Sequence, residues 1–188
     1  MTETRLKDRQ DYETINGKLH MMARPAMRHI AIASNINTLF VNYLKGKTCK
    51  SYPEPDVFLD DQNNLIPDVV ILCDRSKKSN RGIYGAPDLV VEILSPKTAI
   101  KDLTEKKDIY GKAGVREYWI VNPKEQTISV YYLKDNNELA LNAIYYNYTQ
   151  EEIDEMPDDD KNAISKHFKT SLFEDLLINT EDIFYDVE

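Results

Sequence analysis

Apolar positions fall into two rhythms along the chain. Between Arg28 and Leu44 they recur at 30, 32, 36, 39, 40, 43 and 44. That spacing predicts a helix with one core-facing stripe, and Gly46 is placed to end it. Thr98 to Ala113 reads as a second helix ending at Gly114. Short apolar runs lie between and after them: Val57–Leu59, Asp68–Cys73, Asp88–Leu94, Glu117–Val121 and Thr127–Leu133. Pro, Asn or Asp bounds these runs, which marks them as strands, and Asn122-Pro-Lys-Glu-Gln126 joins the last two as a hairpin. Asn16-Gly17 inside Asp11–Met22 predicts an N-terminal hairpin. The polar stretches 74–86 and 150–163 read as exposed loops, the second of them acidic. Strands alternating with two long helices predict an α/β fold with a mixed sheet. The length of 188 residues fits one domain over 1–188.

Charge changes the picture only when it is located. The formal net charge is -8. Residues 151–188 hold 13 acids against 3 lysines, whereas residues 75–124 hold 11 bases against 6 acids. A mildly basic centre is compatible with phosphate binding, and the acidity belongs to the C-terminal segment. Cys49 and Cys73 have no metal-type spacing and read as buried thiols of a reducing compartment, with a disulfide as the lesser alternative. No apolar run is long enough to span a membrane, and Met1–Arg5 has no apolar signal core. A cytoplasmic protein without membrane contact is the expectation.

Within these elements two charges stand where apolar residues belong. Glu92 lies mid-strand in Leu89-Val-Val-Glu-Ile-Leu94. Burying a lone carboxylate costs several kcal/mol, so it needs a cation, donors or a proton. Lys106 sits at the centre of an otherwise apolar helical arc, with Asp102 and Tyr110 beside it. A shared site explains both anomalies. Asp68 and Asp88 each follow Pro at a strand start. Asp88 shares a strand face with Glu92, and Asp68 reaches the same pocket if its strand pairs alongside. A hard divalent ion, Mg2+ or Mn2+, would reconcile such carboxylates. Turn capping is the stronger reading for Asp88, while Asp68, and Asp56 after Pro55, divide evenly between a turn and a ligand. His29 is an accessory candidate for which plain packing is the stronger reading. Tyr118, Trp119, Tyr131 and Tyr132 read as core.

These residues together resemble a family. The segments are Pro67-Asp68-Val-Val, Gly85-Ala-Pro-Asp-Leu-Val-Val-Glu-Ile-Leu-Ser-Pro96, Asp102-x3-Lys106-x3-Tyr110 and Gly114-Val-x-Glu-Tyr-Trp-Ile-Val-x-Pro123. They are similar to the Uma-two family of restriction-endonuclease-like proteins in the PD-(D/E)xK nuclease superfamily, over roughly residues 10–135. The resemblance implies a mixed central sheet flanked by helices. It matches Asp68 to the metal-binding Asp and Glu92 to the acid of the Glu-x-Lys element. Leu94 stands where that short motif expects Lys, so the lysine role moves to Lys106. Lys18 replaces an acid common in the family.

The expectation is a Mg2+-dependent endonuclease acting on DNA. Asp68 and Glu92 would hold the metal, and Lys106 would serve the attacking water. Asp102 and Tyr110 would brace Lys106. Arg75–Arg81, Lys97 and Lys101 would meet the phosphate backbone. A homodimer is plausible because nuclease relatives often pair. Two rivals remain: a scaffold or binding protein in which Glu92 and Lys106 form a structural ion pair, and a hydrolase of small phosphate esters.

Overall fold

The computed structural model describes residues 12–96, 99–161 and 164–187. Among the described residues a large and a small sheet, a two-stranded ladder of His167–Lys169 with Leu177–Asn179, and two long helices build the fold. A six-stranded mixed sheet has the order β11-β10-β9-β8-β6-β3. Its strands are β3 (Lys50–Pro53), β6 (Val69–Leu72), β8 (Leu89–Ile93), β9 (Glu117–Asn122), β10 (Thr127–Leu133) and β11 (Leu139–Tyr146). Only β8 and β9 run parallel within it; the other neighbours are antiparallel. The crossover between them is the second helix, α2, residues 99–113. A second sheet of β1 (Tyr12–Ile15), β2 (Lys18–Met21), β4 (Val57–Asp60), β5 (Asn63–Leu65) and β7 (Ile83–Tyr84) has the order β2-β1-β5-β4-β7. The N-terminal hairpin is present, with Asn16 at φ 50° and Gly17 at φ 73°, the positive-φ pair its tight turn requires.

The large sheet is covered on both faces, which is why its strands read as continuous apolar runs. On one face Val69, Ile71, Leu89, Val91, Trp119 and Val121 pack against α1 (Met27–Tyr43), whose Ile32, Ile36 and Phe40 form the expected stripe. The C-terminal segment closes that side with Phe168, Ile178, Ile183 and Phe184. On the other face Val70, Leu72, Val90, Tyr118 and Ile120 pack against α2 and the small sheet. Each fully buried aliphatic or aromatic side chain contributes roughly 1.5–3 kcal/mol. This fold is mixed α/β with sheets flanked by helices. Among the described residues no helix is long and apolar enough to cross a membrane.

Three expectations change. Residues 150–155 and 158–161 are short exposed helices and not an irregular loop. Thr149 caps the first through its side chain and Glu152, a reciprocal pair written in the sequence. Cys49 and Cys73 are joined in a disulfide. The β3–β6 register pairs Lys50 with Leu72, so the next residues, Cys49 and Cys73, face each other across the ladder. A separation of 24 residues gives no hint of that pairing. The thiol argument for a reducing compartment falls with it. Finally, α2 is not a uniform α-helix: Asp102–Lys106 form a wider π turn between α-helical ends. Thr98, expected to start this helix, and Lys97 lie outside the described residues.

Candidate active site

The site forms where the large sheet, the small sheet and α2 meet. The β6–β8 register pairs Val69 with Val91 and Val70 with Val90, so Asp68 falls beside Glu92 one step further along. Both side chains share the parity of the sheet face that looks toward α2. The turn of α2 swings Lys106 over this pair, and β1 brings in an acid that sequence reasoning missed, Glu13. Lys106 is 3% exposed, Glu92 4%, Glu13 5% and Asp68 8%.

Lys106 Nζ lies 2.8 Å from Glu13 Oε1, 3.2 Å from Glu92 Oε1 and 3.4 Å from Asp102 Oδ1. Tyr110 donates its hydroxyl to Glu92 Oε1 at 2.9 Å. Glu13 Oε1 also accepts the backbone N–H of Ile66 at 2.9 Å. Tyr118 donates to the Asp102 carbonyl at 2.9 Å, which ties the π turn to β9. Asp68 has a separate set of partners. Its Oδ2 accepts the Ile93 N–H at 2.6 Å and its Oδ1 meets His29 Nε2 at 2.6 Å. The site thus gathers Glu13, Asp68, Glu92 and Asp102 around Lys106 and His29.

Electrostatics follow from that composition. Burial raises the Glu92 carboxyl well above its ordinary value; Lys106 opposes the shift, while Asp102, Asp68 and Glu13 add to it. Burial alone would discharge Lys106, but Glu92, Glu13 and Asp102 outweigh it and hold the ammonium charged more firmly than in water. Burial likewise opposes protonation of His29, and the hydrogen bond and charge of Asp68 prevail, raising it above 6.5. Four carboxyls against one lysine and one histidine make a cluster that is relieved either by a proton, at Glu92, or by a cation. Among the described residues no three His, Cys, Asp or Glu side chains converge as a preformed metal cage. Two carboxylates completed by water and a phosphate oxygen suit Mg2+, which seldom sits in an all-protein cage. Asp68 and Glu92 fit such a set.

The remaining candidates separate clearly. Asp102, Tyr110 and His29 are in the cluster. Asp88 is not: four residues along β8 place it about 13 Å from Glu92. There its Oδ2 accepts the Cys73 N–H at 2.7 Å and Arg116 lies 3.5 Å away, so it serves the turn. Asp56 stands at the start of β4, where its carbonyl accepts the Ile83 N–H and its carboxylate the Asn64 amide. Lys101 reaches His20 Nδ1 at 2.7 Å. Glu13 had a signal: it shares a strand face with fully buried Ile15, two residues on.

Comparison with known proteins agrees with this architecture. The model of a family described as Uma2, "Putative restriction endonuclease", matches residues 3–162. The uncharacterized protein slr1290 of Synechocystis sp. is 29% identical over 141 residues, 72% of this chain and 74% of that one. A crystal structure of a putative nuclease belonging to DUF820, from Anabaena variabilis, superposes with a TM-score of 0.69 at 22% identity. It covers 92% of this chain and 89% of its own, which establishes a common fold. The type IIG restriction endonuclease BpuSI aligns with 63% of this chain and 14% of its own at 16% identity. Its TM-score of 0.39 is too low to carry an argument.

Proposed function

The chain belongs to the Uma2 family of putative restriction endonucleases, and from that premise we propose that it is a divalent-metal-dependent endonuclease hydrolysing DNA phosphodiester bonds. The carrying observation is the buried excess of carboxyls around Glu92 and Lys106. Asp68 and Glu92 would hold Mg2+ or Mn2+. The bound ion would supply a water of lowered pKa and polarise the scissile phosphoryl group. Lys106 would orient the attacking oxygen and meet the charge that develops on the phosphate. Glu13 and Asp102 keep it protonated and aimed. Tyr110 fixes the Glu92 carboxylate, and the Ile93 N–H and His29 fix that of Asp68. Leu94 leaves the strand position of the usual lysine apolar, and Lys106 reaches Glu92 from the helix instead.

A second reading has its own support: Lys106 is already satisfied by three carboxylates, as expected of a structural ion cluster in a scaffold. Calorimetry with Mg2+ and Mn2+ separates the two. The nuclease reading expects binding that weakens at least about tenfold in Asp68→Asn, together with metal-dependent nicking of plasmid DNA that Glu92→Gln abolishes. Folded protein that binds neither ion at millimolar concentration would favour the scaffold.

A further inference from the structure

The outer face of the small sheet carries a row of side chains with a separate purpose. The registers align Leu19 with Thr14, Thr14 with Asn64, Asn64 with Phe58 and Phe58 with Tyr84, one residue from each of the five strands. Their neighbours Glu13, Ile15, Val57, Leu65 and Ile83 point inward and are buried. The outward row has no covering layer among the described residues, and Tyr84 is 46% exposed. Phe58 and Tyr84 stack, with centroids 4.8 Å apart and planes at 19°. The Arg81 guanidinium lies 5.7 Å from the Phe58 centroid. Beside the pair opens a cleft of ≈ 540 Å³ lined by Thr14, Phe58, Asp60, Asp61, Asn64 and Tyr84. Asn64 Oδ1 is buried without a hydrogen-bond partner, while its amide nitrogen donates to Asp56.

The surroundings of this cleft combine two chemistries. From the loop before Tyr84, Arg81 lies against Phe58 and the Lys77 chain runs past Gly85 with its ammonium on the Ala86 carbonyl, while Lys78 turns to the Tyr52 ring. The cleft itself offers acceptors, Asn64 Oδ1 and the Asp61 carboxylate, that of Asp60 being taken up by the Gln62 N–H and the Asn63 amide. A flat π surface with a guanidinium beside it and acceptors in the cleft matches one ligand class, a nucleotide. Its base stacks, its phosphate meets the guanidinium, and its amino edge meets the acceptors. We propose that this face binds an unpaired nucleotide of a DNA strand, with Tyr84 and Phe58 as the stacking platform. The proposal rests on the nuclease reading for its choice of DNA. Thr14 follows Glu13 on β1, so platform and buried cluster occupy opposite faces of one strand.

The test is binding of a short single-stranded oligodeoxynucleotide containing 2-aminopurine, without divalent ion. Anisotropy reports affinity, and quenching of the 2-aminopurine reports stacking. The wild-type protein should bind with quenching. Tyr84→Ala should weaken binding about tenfold and lose the quenching, and Tyr84→Trp should restore both. Equal affinity and quenching in Tyr84→Ala overturns the platform, as does absence of binding by the wild type. A sedimenting dimer that becomes monomeric in Tyr84→Ala also overturns it, assigning the face to a second copy of the chain. Plasmid nicking is assayed in parallel. Loss of stacking in Tyr84→Ala by a wild type that never nicks DNA leaves the platform standing and sinks the nuclease reading. Nicking with unchanged KM in Tyr84→Ala does the reverse.

Discussion

Glu92 and Glu117 are buried glutamates on the adjacent parallel strands β8 and β9, and they are buried for different ends. Glu117 is at the start of β9, on the face packed against α1 and the C-terminal segment. Its carboxylate accepts from Trp119 Nε1 at 2.6 Å and from the Ser171 N–H and hydroxyl at 2.7 Å each. Every one of those donors is neutral, and together they clamp the C-terminal segment to the sheet. Glu92 is near the end of β8 on the opposite face. It has one neutral donor, Tyr110, one cation, Lys106, and like charges from Glu13, Asp68 and Asp102 around it. Burial raises both carboxyls. The depth of a carboxylate therefore does not identify a site; the signs of its neighbours do. Glu117 is a cross-link with its bonds filled, and Glu92 belongs to a group that a proton or a cation must balance.

Substitutions should pull this contrast apart, beginning with the largest effect. Lys106→Met removes the one cation held among Glu13, Glu92 and Asp102. Urea unfolding should show a loss of about 3–5 kcal/mol. Undiminished stability would mean that the three acids are protonated and that the cluster is not ionic. Glu117→Gln turns an amide toward the Ser171 donors and should cost about 1–3 kcal/mol. It should leave Mn2+ binding measured by calorimetry as in the wild type. Glu92→Gln should show the opposite profile. Its stability should stay within about 1 kcal/mol of the wild type, because Tyr110 keeps an acceptor and a crowded charge is gone. Mn2+ binding should weaken at least about tenfold. Equal losses of stability in the two variants would erase the distinction.

The smallest effect lies in pH dependence. The Glu117 carboxyl is raised above 4.5 in the fold, chiefly by burial. A raised acid binds its proton more tightly when folded. Its contribution to stability is complete below the unfolded value and fades as pH rises through the folded one. Wild-type stability should therefore decline in the window opening above pH 4.5, and Glu117→Gln should remove its share of that decline and leave the share of Glu92, which burial also raises. Lys106 is raised too, so its contribution persists until pH passes its unfolded value of 10.5 and plays no part in this window.

How much of this was legible in the sequence depends on whether an element's own rhythm exposed the oddity. Glu92 and Lys106 each broke a clear apolar pattern, and the same pattern placed Asp102 and Tyr110 beside them. Glu13 had only a weak signal, its shared strand face with Ile15, because a strand of four residues is too short to set up a clear pattern, and Asn16-Gly17 drew the reading to the turn. His29 became part of the site through β6, a tertiary contact that no helix pattern announces. Asp88 shares the face of Glu92, and only the rise along the strand removes it from the site. The same limit hid the Cys49–Cys73 pairing, which depends on register between β3 and β6. Strands such as β5 and β7 are held by neighbours more than by their own propensity, so the chain gave no separate sign of them.

The π turn at Asp102–Lys106 makes the place of a length change in α2 as significant as its composition. A π turn holds one more residue than the α-helical turn it replaces. Removing an exposed residue there, such as Thr104, would close it into regular helix. The five residues of the π turn and the four of the α-helical turn replacing it sweep nearly the same angle and rise, so everything downstream would keep its facing. Tyr110 would still meet Glu92, and the lysine would stay over the same carboxylates although its number had changed. Relatives that lack this residue are expected to keep the arrangement on a regular helix. In this segment a one-residue gap in an alignment is compatible with the same site, whereas a gap in the α-helical turns on either side would re-aim Lys106 or Tyr110.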